Sequence, residues 1–98
     1  MEVKTLTPFE DFIFTARLVL KAMLEIIQQA NYEYREREYL EKLDKIKAVV
    51  RDLEFNPFYR QIKNKKEQKA YRTILKQLKA GCNKLEKAIM KGSVLYIF

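Results

Sequence analysis

The sequence predicts an all-α fold, an antiparallel bundle of three long helices, and three observations carry that prediction. Apolar residues recur at helical spacing along three long stretches of chain. Only two glycines and two prolines occur in 98 residues, which is little material for the many turns of a β fold. Both prolines directly follow a capping residue, in Thr7-Pro8 and Asn56-Pro57, as at the first position of a helix. The length suits one domain, so residues 1–98 read as a single helical bundle.

The first helix is predicted over residues 8–30. Thr7, Pro8 and Glu10 form a capping signature, and Phe9, Phe12, Ile13, Ala16, Val19, Leu20, Met23, Ile27 and Ala30 follow at helical spacing. Arg17, Lys21, Glu25 and Gln28 make one narrow polar line, closely flanked by Phe14, Leu18 and Leu24. An ordinary surface helix buries a stripe little more than 100° wide, so these three flanking residues read as an interface covered by another copy or another protein.

The second helix is predicted over 32–55. Tyr32, Tyr39, Ile46 and Leu53 recur every seven residues, with Leu43 and Val50 between them and Glu36 interrupting the seam near its start. Asn31 marks a break, with a bend or a continuous helix as the alternatives. Glu33–Arg37, Glu38–Lys42 and Glu41–Lys45 are favourable i, i+4 pairs. Pro57 ends this helix near Phe55, because it disfavours helical geometry at Asn56.

A short helical turn is predicted over 57–63, followed by the last helix over 65–91. Asn64 and Glu67 supply its cap signal, and Tyr71, Leu75, Leu78, Cys82, Leu85 and Ile89 its apolar seam. Gly81 implies close packing or a slight kink, and Gly92 is placed to close the helix. The segment Val94–Phe98 is apolar and too short to assign.

Composition excludes several function classes. There is no histidine, hence no imidazole base, no Cys–His or Ser–His pair and no usual zinc set. The chain has one serine, Ser93, and no glycine-rich phosphate loop. Glu33, Glu36, Glu38 and Glu41 spread around a helix among basic neighbours, which reads as a salt-bridged surface. Cys82, the single cysteine, falls on the apolar seam and reads as a buried structural thiol. No enzymatic activity, no cofactor, no metal and no small-molecule substrate are therefore expected. The most apolar stretch, residues 12–27, is interrupted by three charges and falls short of the roughly 20 residues of a membrane span. The N-terminus does not read as a signal peptide, and the expected compartment is the cytoplasm.

Charge is where the sequence says most about function. Residues through Asn56 carry nine basic and eleven acidic side chains, a net of −2, whereas those from Pro57 carry eleven and two, a net of +9, making the chain's +7. Lys65, Lys69, Arg72, Lys76 and Lys79 follow spacings of 4, 3, 4 and 3 and so share one helix face. Arg60, Lys63 and Lys66 extend this ridge into the preceding connection. Phosphates spaced along a duplex or a single strand match such a ridge, and Phe58 and Tyr59 beside it read either as stacking platforms or as core.

Two functions follow. The first is nucleic-acid binding through backbone contacts with little sequence specificity, by a homo-oligomer, with a dimer favoured. The second is a protein-interaction or assembly subunit using Phe14, Leu18 and Leu24, as in a small accessory protein of a virus or mobile element. Attachment to an anionic membrane surface through the basic helix and the apolar tail ranks last.

Overall fold

The computed structural model describes residues 5–92, and all regular structure among them is helical. Helix α1 spans Pro8–Ala30, α2 Glu36–Phe55 and α3 Lys65–Lys91, with a 3₁₀ turn at Pro57–Gln61 between α2 and α3. Each long helix packs on the other two. Met1–Lys4 and residues 93–98, with the apolar tail, lie outside the described residues.

The caps were legible. Thr7 Oγ1 accepts from the Glu10 amide at 3.1 Å while Glu10 Oε1 accepts from the Thr7 amide at 3.4 Å, closing the capping box of α1. Asn64 Oδ1 accepts from the amides of Lys66 and Glu67 at 2.9 and 3.2 Å. Gly92 closes α3 in the left-handed conformation (φ 69°) that favours glycine.

The start of α2 differs from expectation. Residues 31–35 are not helical, and Tyr32, the first member of the predicted heptad, is 93% exposed. These five residues reverse the chain so that α2 can return along α1, and a helix beginning at Tyr32 would leave only Asn31 for that reversal. Glu36, which looked like an interruption of the seam, is the first residue of α2, where an acidic side chain complements the helix dipole. Tyr39 secures the connection by donating its hydroxyl proton to the Glu33 carbonyl. Outside the helix, Glu33 pairs with Arg35 at 3.0 Å instead of with Arg37. Glu38–Lys42 forms as expected at 3.3 Å, whereas Glu41–Lys45 is not among the ion pairs of the described residues. The predicted turn over 57–63 is also shorter: it ends at Gln61, and Ile62 is buried.

Cross-helix contacts fix the directions. Tyr59, after α2, packs against Phe12 near the start of α1, so α1 and α2 are antiparallel. Lys79 pairs with Glu54 and Lys47 with Glu86 in antiparallel register between α2 and α3. The core is a single cluster in which Phe12, Leu43, Leu53 and Ile89 are fully enclosed. Each such side chain contributes about 1.5–3 kcal/mol by leaving water. In α1 the buried positions are Phe12, Ala16, Val19, Met23 and Ile26. Leu20, expected to face the core, is instead 50% exposed. Cys82 is buried against the seam, and that burial pushes its thiol pKa up despite nearby Lys47. No helix of the described residues is long and apolar enough to cross a membrane.

Candidate nucleic-acid interface

The basic face rests on α3, and four anchors hold that helix. Asn64 caps its first turn, Gln68 Nε2 donates to the Ile62 carbonyl at 2.8 Å, the Tyr71 hydroxyl donates to the Leu53 carbonyl, and Leu75, Leu78, Leu85 and Ile89 lock it to the core. The opposite side is thereby fixed toward solvent.

Lys65, Lys69, Arg72, Lys76 and Lys79 all lie on that solvent side and are exposed. At about 100° per residue they fall within an arc of roughly 80°. Arg60, Lys63 and Lys66 are exposed as well. Lys66 lies at the edge of the row. Burial, followed by Glu54, pushes the pKa of the inward-facing Tyr71 hydroxyl up, with Arg60 opposing the shift. Arg60 itself lies on the 3₁₀ turn, ahead of the helix that carries the row.

Pairing separates one member from the others. Lys79 Nζ lies 3.0 Å from Glu54 Oε2, so part of its charge is spent within the molecule. None of the other seven cations has a carboxylate within 4 Å among the described residues. Beyond the sequence reading, Lys87 falls in the same arc, and Lys84 and Lys91 are exposed on the adjoining side of the helix. Asn83 and Glu86 occupy the next positions of the 4-3-4-3 spacing after Lys79, which is why periodicity alone stopped there; the count of lysines on the wet side would have found the later ones.

The two aromatic residues beside the connection have different fates. Tyr59 is core: it is 7% exposed, its ring lies edge-on to Phe12 at 6.1 Å, and its hydroxyl donates to Asp11 Oδ1 at 2.6 Å. It is thereby removed as a stacking platform. Phe58 is partly exposed and leans edge-on against Tyr59 at 5.4 Å.

The other predicted surface divides in two. Phe14, Leu18 and Leu24 are 58%, 51% and 48% exposed, but helical geometry sets Leu18 and Leu24 about 120° apart. Leu18 lines a groove of ≈ 320 Å³ between α1 and α2 with Val49 and Ile46, and Phe14 precedes it by one turn of the helix. Leu24 falls on the far side with Leu20, which lines a groove of ≈ 300 Å³ between α1 and α3 with Ile13 and Ile74. The polar line of Arg17 and Lys21 runs between the two flanks.

No family model, no curated protein and no solved structure matches this chain.

Proposed function

We propose that this chain is a non-enzymatic nucleic-acid-binding protein that grips phosphates with the basic face of α3 and reads little or no sequence. The observation that carries this reading is the run of seven exposed cations, from Arg60 to Lys76, without carboxylate partners among the described residues. Like charges crowded on one helix face destabilise the free protein slightly, and a polyanion relieves that repulsion while releasing its own counterions. Because α3 is held along its length by the core, the five of these cations that it carries, Lys65, Lys66, Lys69, Arg72 and Lys76, stand on a fixed helix and little backbone ordering is required on binding. Reversing Lys65, Lys69, Arg72 and Lys76 to Glu should abolish binding at low salt while leaving helicity and thermal stability close to those of the parent. A parent protein that binds no nucleic acid at low salt would sink the reading.

A second reading, assembly through α1, is favoured by the exposure of Phe14, Leu18, Leu20 and Leu24 on one helix. It is compatible with the first, since a dimer would carry two basic faces. Phe14→Asp should lower the mass seen by light scattering if the helix is covered by a second copy. A monomeric parent, unaffected by the substitution, would remove that interface.

A further inference from the structure

Between the cations of the α3 row, the solvent-facing positions carry no aromatic ring: Thr73, Ala80 and Asn83 are exposed, as is the flexible Met90 near the end of the helix. Tyr71, the one aromatic residue of α3, turns inward, with its ring 4.6 Å from that of Phe12 and its hydroxyl on the Leu53 carbonyl. The exposed aromatics nearest the connection, Phe55 and Phe58, stand at the end of the row and do not interleave with it. The face thus offers charge without stacking surface. It is also one uninterrupted helix, capped at both ends, so that Lys65 and Lys91 are about 39 Å apart at 1.5 Å per residue.

From these features we infer that the partner of this face is a double-stranded nucleic acid, held by its phosphate backbone; the inference rests on the phosphate-binding reading above. A site that binds by charge alone follows the linear charge density of its partner. A duplex carries one charge per about 1.7 Å of axis, and each contact releases more counterion than on a single strand. A duplex also stays straight over this length, its persistence length being about 50 nm, and so meets a straight row without having to be ordered. A single strand must be ordered on the protein, and sites that hold one recover that cost by stacking bases on aromatic rings. This row has none to offer.

The test is fluorescence anisotropy of the full chain with a mixed-sequence duplex of about 20 base pairs, longer than the roughly 12 that the whole of α3 spans at 3.4 Å per pair. Each of its strands is measured alone under the same low-salt conditions. The duplex should bind at least about tenfold more tightly than either strand, a duplex of scrambled sequence should bind equally, and the double substitution Phe55→Ala with Phe58→Ala should change neither. A single strand bound as tightly as the duplex, or binding lost with the two phenylalanines, overturns the duplex inference and leaves phosphate binding standing. Absence of binding to either form at low salt overturns both.

Discussion

At the residue scale, two side chains make the account testable without any partner. Tyr59 is enclosed by Phe12 and Tyr71 and bonded to Asp11, and burial, followed by that hydrogen bond, pushes its pKa up to about 12 from an ordinary 10.0. The folded chain therefore keeps the Tyr59 proton in a window where the unfolded chain has lost it. This contribution is complete below pH 10 and is lost as the pH rises toward 12. In urea unfolding, the parent should lose stability between pH 10 and 12 more steeply than Tyr59→Phe does, and parallel slopes would contradict the assignment. At neutral pH the same substitution should cost about 1 kcal/mol, because Asp11 loses its donor. Gly81 is the opposite case. A methyl group there would meet Met23 Sδ at 3.6 Å, an ordinary contact, and α3 runs through the position unbroken. Gly81→Ala should therefore stabilise the protein by about 0.5–1 kcal/mol. A lower melting temperature in the variant would mean that the α1–α3 contact is tighter than described.

At the scale of elements, the ion pair between α2 and α3 modulates the basic face. Glu54 holds Lys79 at 3.0 Å, so Glu54→Gln should free one more cation. Nucleic-acid affinity should then rise, and the slope of log K against log salt should steepen by about 0.9. An unchanged slope would mean that Lys79 lies outside the contacted surface. The same scale shows what the sequence could disclose. Helix existence, the caps at Thr7, Asn56 and Asn64, and the seam of α3 were legible because each depends on neighbours within a turn or two. The start of α2 was not, because Tyr32 happens to continue a seven-residue repeat that only the chain reversal breaks. The orientation of Leu20 was equally hidden: one stripe of α1 can face the core, and which stripe it is depends on the placement of α2 and α3. The candidate row was readable from lysine spacing as far as Lys79. The Glu54 partner, 25 residues away in sequence, was not.

At the scale of the whole molecule, the fold sorts charge. All five ion pairs among the described residues involve α2 or its leading connection, where acidic and basic side chains alternate. The helix that carries most of the positive charge presents it outward with few internal partners. Apolar surface is sorted as well, since the large exposed side chains of α1 stand on two flanks, one beside α2 and one beside α3. A helix core built from all three elements leaves both surfaces available at once. The central claim is that the α3 face is a phosphate-binding surface. Its most direct test is the affinity of the full chain for duplex nucleic acid as a function of salt. With five or six phosphates engaged, log K should fall against log salt with a slope of about −5, and the charge reversals at Lys65, Lys69, Arg72 and Lys76 should leave no binding at low salt. An affinity indifferent to salt, or binding untouched by those reversals, would contradict the account.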